Sequence, residues 1–112
     1  MFSKELSAAA ARPLVLSTLA RGESYGYEII QRLKDLSGGQ VDWAEGALYP
    51  LLKRMETEEL IGSEWRESES GRARKYYRLL PAGQSSLVAE RKQWTLANSM
   101  LSQLWSPRLT FA

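Results

Sequence analysis

A chain of 112 residues, 44% of them hydrophobic and 25% charged, is long enough for one compact domain with its own core and too short for two ordinary ones. It contains neither cysteine nor histidine, which excludes disulfides, thiolate and imidazole metal sites, Ser-His-Asp and Cys-His catalysis, and a histidine pH switch. The net charge of +2 and an isoelectric point near 9.0 permit an anionic partner without requiring one, so the placement of the charges has to decide. No apolar run approaches the roughly 18 residues of a membrane span. Met1 to Glu5 lacks the apolar core of an export signal, so a cytoplasmic protein with no membrane segment and no cofactor is expected.

From Leu6 to Ala20, the residues Leu6, Ala9, Ala10, Leu14, Val15 and Leu19 recur at helical spacing and predict a first helix, bent where Pro13 removes a backbone donor. Arg21-Gly22-Glu23 interrupts the pattern. Ser24 is a candidate N-cap for a second helix with a stripe of Tyr27, Ile30, Leu33 and Leu36, ended by Gly38-Gly39. A third helix after Ala44 places Leu48, Leu51, Leu52, Met55 and Leu60 on one side, with Pro50 in or near its second turn.

At Ile61 the period changes. Ile61, Ser63, Trp65 and Glu67 alternate with Gly62, Glu64, Arg66 and Ser68, as in a strand; Ser70-Gly71 signals a turn, and Arg74 to Leu79, with Tyr76 and Tyr77, supplies the returning strand of a hairpin. After Pro81-Ala82-Gly83 a long helix runs to about Trp105. Leu80, Leu87, Trp94 and Leu101 fall seven apart, with Ala97 and Leu104 at the intermediate heptad positions, the spacing of a coiled-coil seam. The predicted fold is mainly α with a two-stranded β wing. It is a winged helix-turn-helix over residues 1–79, followed by a C-terminal dimerisation helix over 80–105, with Leu87, Trp94, Leu101 and Leu104 as the pairing residues, and a tail at 106–112.

The second and third helices would cross as a helix-turn-helix whose second member can lie in a major groove. The side of the third helix that its core stripe leaves free carries Glu45, Gly46, Tyr49, Pro50 and Lys53, with Arg54 at the edge. Gly46 would let backbone approach a phosphate, Tyr49 could donate to one or stack on a sugar or base, and Lys53 could neutralise one. Taken alone, with Glu45, Glu56, Glu58 and Glu59 nearby, this is also what an ordinary solvated helix looks like. Arg72, Arg74, Lys75 and Arg78 crowd into a seven-residue stretch beside the turn, a wing able to straddle a phosphate backbone or a hairpin kept soluble by charge. Trp94 either buries area against a second copy or leaves, with its symmetry mate, a gap that stacks a flat aromatic ligand. A module that docks an acidic protein remains the alternative. An enzyme built on Glu56, Glu58 and Glu59 is the weaker rival, since glutamates at a helix end are usually solvated surface.

Four stretches together have a recognisable wording: Tyr25-Gly26-Tyr27-Glu28-Ile29, the run from Glu45 to Glu56, Leu60-Ile61 with Trp65, and Arg74-Lys75-Tyr76-Tyr77-Arg78-Leu79. Over nearly its whole length the chain resembles the PadR family of bacterial transcriptional regulators. The resemblance implies a dimeric winged helix-turn-helix, commonly a repressor acting on a palindromic operator in double-stranded DNA. In it the third helix enters the major groove and the wing touches backbone or minor groove. Carried to matching positions, it nominates Tyr49, Lys53 and the group from Arg72 to Lys75 for DNA, and Tyr25, Gly46 and Arg54 complete the candidate set. The single short C-terminal helix looks like the compact branch of the family, some of whose members bind aromatic drugs between paired tryptophans. Trp94, flanked by Ala97 and Leu101, lies where such a residue would be, which implies a planar aromatic small molecule as effector.

Overall fold

The computed structural model describes residues 2–107, so the tail expected at 106–112 lies outside the described residues from 108 onward. In chain order the elements are α1 (Lys4–Ala20), β1 (Ser24–Tyr25), α2 (Gly26–Leu36), α3 (Glu45–Thr57), β2 (Ile61–Glu67), β3 (Ala73–Leu79) and α4 (Pro81–Trp105). This is the predicted winged helix-turn-helix with one addition. The sheet has three strands in the order β1-β3-β2, because Ser24 and Tyr25 pair antiparallel with Tyr77 and Tyr76.

That addition changes the role of Ser24. It is a fully buried strand residue, with its hydroxyl donating to Glu28 Oε1 at 2.7 Å, and Tyr25 takes the position before α2 without a side-chain cap. The buried face of α2 is Ile29, Ile30 and Leu33, while Tyr27 and Leu36, expected in the stripe, are exposed. In α1 the cap is Ser3, whose hydroxyl oxygen accepts from the Leu6 amide at 3.1 Å, and the helix runs unbroken through Pro13. Its buried side, Val15, Leu16 and Leu19, meets Ile29, Leu48, Leu52, Met55 and Ile61 in one core. Burying each of these side chains contributes about 1.5–3 kcal/mol.

α3 stops at Thr57 rather than running to Leu60. Glu59 adopts a left-handed φ of 61°, and the Leu60 amide closes on the Met55 carbonyl at 3.0 Å, turning the buried Leu60 into the start of the wing. β2 and β3 are then zipped from Ile61↔Leu79 to Glu67↔Ala73. At the tip Gly71, with φ 80°, supplies the turn conformation that lets the Ser68 amide reach the Arg72 carbonyl at 2.9 Å. Where the wing returns, the Leu80 amide donates to the Leu60 carbonyl at 3.0 Å, and Gly83 lies so close to that carbonyl that any Cβ would collide with it.

α4 starts at Pro81, which suits a first helical position because its missing donor has no partner there. Only Gly83 and Leu87 are buried in it. At about 1.5 Å per residue its 25 residues carry it well beyond the domain and account for the 65 × 30 × 21 Å outline.

Candidate nucleic-acid interface

The exposed side of α3, the start of α2 and the inner edge of the wing enclose an open groove of about 1090 Å³. Tyr25, Tyr49, Lys53, Arg72, Arg74 and Lys75, six of the eight candidate DNA residues, line it together. They come from three separate segments, and the fold brings them to one surface. Tyr49 and Lys53 are four apart and so share a face of α3. Tyr25 reaches the groove because β1 holds it beside β3.

The hydroxyl end of the Tyr49 ring fills the space where a Cβ on Gly26 would stand. Such a Cβ would be 2.6 Å from the hydroxyl oxygen and 2.8 Å from Cζ, so glycine in the first turn of α2 leaves room for this α3 side chain. Partial burial, and then the carboxylate of Glu45, push the Tyr49 hydroxyl above its ordinary pKa, keeping it a neutral donor. Beneath it Tyr77, 3% exposed, is pushed up to about 12 by burial first and then by Glu56 and Tyr49.

The wing's cations divide between two faces, as strand alternation requires. Lys75 points to α3, where Nζ is 3.3 Å from Glu56 Oε1, and Glu56 Oε2 accepts from the Ser63 hydroxyl at 2.6 Å. Arg74 alternates to the other side of β3 and, with Tyr25, still borders the groove, its guanidinium 4.4 Å from the centre of the Tyr25 ring, and Tyr25 meets Tyr76 edge-on at 5.4 Å. Arg66 stands directly across the ladder from Arg74. That like-charge pairing is tolerated because Arg66 is held by Glu64, by Glu23 at 2.6 Å and by the face of Tyr76 at 4.9 Å. The bond from Arg66 lowers the Glu64 carboxyl below its usual range.

Two candidates fall elsewhere. Arg54 projects from another side of α3 into a second groove bounded by Phe2, Arg12 and Trp43. Adjacent helical residues point about 100° apart, so Arg54 lines a different groove from Lys53. Gly46 is exposed on the first turn of α3 with open space around the position of a Cβ. Unlike Gly26, it is not required by anything within the chain.

Sequence reading missed Gly26, Glu56, Trp65 and Tyr77 as groove residues. For Trp65, 68% exposed, the signal was present: the β2 alternation and its register with Lys75 place it on the face that looks at α3.

On α4, Leu87 is turned into the chain's own core, so the seam available to another molecule begins after it. Leu80 stands before the helix rather than in it. Trp94, Leu101 and Leu104 are 37%, 43% and 58% exposed, and Ala97 is exposed beside them. At 100° per residue these four lie in an arc of roughly 80°. Trp94 Nε1 donates to Glu90 Oε2 at 3.2 Å, which orients the ring along the helix.

The family model for the PadR-like transcriptional regulators matches residues 15–89, from α1 through the wing into α4. The chain belongs to this family. A curated relative, the transcriptional regulator Rv3488 of Mycobacterium tuberculosis, is 38% identical over 89 residues, covering 80% of this chain and 79% of the relative. The solved PadR-like regulator BC4206 of Bacillus cereus superposes with a TM-score of 0.83 at 27% identity, over 94% of this chain and all of the other. A PadR family regulator from Eggerthella lenta gives 0.77 at 33% identity over 93% of this chain and 88% of the other. As a PadR-like protein the chain is a DNA-binding transcriptional regulator and not an enzyme. No helix of the described residues is long and apolar enough to cross a membrane.

Proposed function

We propose that this PadR-like regulator is a homodimeric repressor. Two copies pair along α4 through Trp94, Leu101 and Leu104 and present their α3 helices about one DNA turn, roughly 34 Å, apart to a palindromic operator. In each half-site Tyr49 and Gly46 set the approach of α3 in the major groove. Lys53, Arg72, Arg74 and Lys75 neutralise backbone phosphates, and Tyr25 backs the Arg74 guanidinium. A planar aromatic effector enters between the two Trp94 side chains, bounded by Ala97 and Leu101, changes the spacing of the two α3 helices and releases the operator.

The observation that carries this reading is the convergence of six candidate residues from three segments on one open groove. The unpartnered apolar arc on α4 supports the pairing: a protruding helix with exposed Trp94, Leu101 and Leu104 has its apolar side in water until something covers it.

The test is a fluorescence-anisotropy titration of the protein against its own promoter region and a scrambled duplex, with and without a panel of planar dyes. Tight binding to the promoter alone, at two chains per site, and dye quenching lost in Trp94→Ala support the whole reading. Equal weak binding to both duplexes refutes operator recognition and turns attention to an acidic protein partner. Promoter binding without dye quenching refutes the effector.

A further inference from the structure

The groove read above as the DNA surface is lined by Lys53, Arg72, Arg74 and Lys75, yet two carboxylates share it. Glu45 is exposed on the first turn of α3. Glu56 sits in the last turn, where a negative charge meets the unfavourable end of the helix dipole and would repel an approaching phosphate. Its contacts give it a purpose. Oε2 accepts from Ser63 on β2, Oε1 lies 3.3 Å from Lys75 Nζ on β3, and the two charged side chains are only 28% and 33% exposed. One carboxylate thus ties the reading helix to both strands of the wing and occupies the lysine that the wing directs at α3.

Resting on the DNA reading of the groove, we propose that Glu56 is a specificity-determining residue that acts as an internal stand-in for a backbone phosphate. It keeps Lys75 against α3 on loosely held, arbitrary DNA. It yields Lys75 only where α3 seats fully and a phosphate comes as close as the carboxylate. Non-specific binding rests almost wholly on counterion release, so withholding one cation from it widens the gap between operator and background.

Glu56→Gln keeps an oxygen that can accept from Ser63 and removes the charge that retains Lys75. The experiment measures the slope of log affinity against log salt for wild type and variant, each on promoter and scrambled duplexes. On the scrambled duplex the variant's slope steepens by about 0.9, one additional phosphate. Between about 50 and about 200 mM salt that is an extra loss of roughly 3.5-fold in affinity. On the promoter the slope changes by less than half as much, so lowering the salt from about 200 to about 50 mM reduces the variant's promoter-to-scrambled ratio by an additional factor of roughly 2–3.5. In a Lys75→Gln background the same substitution has no effect on either slope. Ser63→Ala, which leaves both charges and removes the hydroxyl that orients the carboxylate, moves the scrambled slope in the same direction by a smaller amount, and thermal melts verify that each variant is folded.

Equal steepening on both duplexes, no steepening, or a gain that persists without Lys75 would overturn the proposal while leaving the DNA reading intact. Wild-type protein that does not distinguish the duplexes overturns the DNA reading itself.

Discussion

Replacing Gly26 by alanine separates the stability of the domain from the shape of its reading surface. The added Cβ would stand 2.6 Å from the Tyr49 hydroxyl oxygen, 2.8 Å from Cζ and 2.9 Å from Cε1, each far inside contact distance. Overpacking of that kind costs about 1–3 kcal/mol in a closed core. Here, however, the obstructing group is a ring that is 42% exposed, on the open side of α3, and it can swing outward. Alanine also favours the helix over glycine by up to about 1 kcal/mol. The two effects nearly cancel, so Gly26→Ala should melt with a stability within about 1 kcal/mol of wild type. The displaced ring then stands in the groove proposed to receive DNA, and promoter affinity measured by anisotropy should fall at least about tenfold, about 1.4 kcal/mol. Loss of several kcal/mol of stability with unchanged affinity in the folded fraction would refute this account of Tyr49.

The contrast at Gly46 runs the other way. Gly46→Ala meets open space, so the protein should gain up to about 1 kcal/mol of helix stability while promoter binding weakens; binding that stays the same would remove Gly46 from the interface. Leu101→Glu places a charge in the exposed arc of α4 and should give a monomer in sedimentation with the melting of the domain retained, whereas an unchanged dimer would place the pairing surface elsewhere. Burial pushes the Tyr77 phenol up to about 12 in the fold from about 10, and so favours its neutral form. Its contribution is complete below pH 10 and is lost as pH rises from about 10 through 12. A spectrophotometric titration should therefore show a phenol ionising near 12, and Tyr77→Phe should remove that step while the raised Tyr49 phenol remains; a titration without a step near 12 would contradict the burial argument.

Elements with a strong period were legible in the sequence. The alternation through Trp65, the Ser70-Gly71 turn and the heptad spacing of α4 each fixed an element type, and their order was enough for the fold. What failed either had no period to read or had one that did not fix which face is buried. β1 is two residues long, and Ser24 is a strand residue only because Tyr77 comes to it from more than fifty positions away. Tyr27 and Leu36 fit the spacing of the α2 stripe but lie off the face that Ile29, Ile30 and Leu33 bury. The same limit shaped the site. Lys53 and Arg54 are neighbours in sequence but line different grooves, and Glu56 has the look of one of several solvated glutamates in the sequence although Ser63 and Lys75 lie against it. Leu87 kept the heptad register of Trp94 and Leu101, but the body of the domain reaches up α4 as far as Leu87 and buries it.

The central claim is that the groove between α3 and the wing is the surface that meets DNA. Its most direct test is the salt dependence of promoter binding for wild type and for Arg74→Ala combined with Lys75→Ala. If these two side chains each neutralise a phosphate, the slope should fall by about 1.8 and the affinity for every duplex should weaken. An unchanged slope in a folded double variant would contradict the claim and remove the wing from the interface.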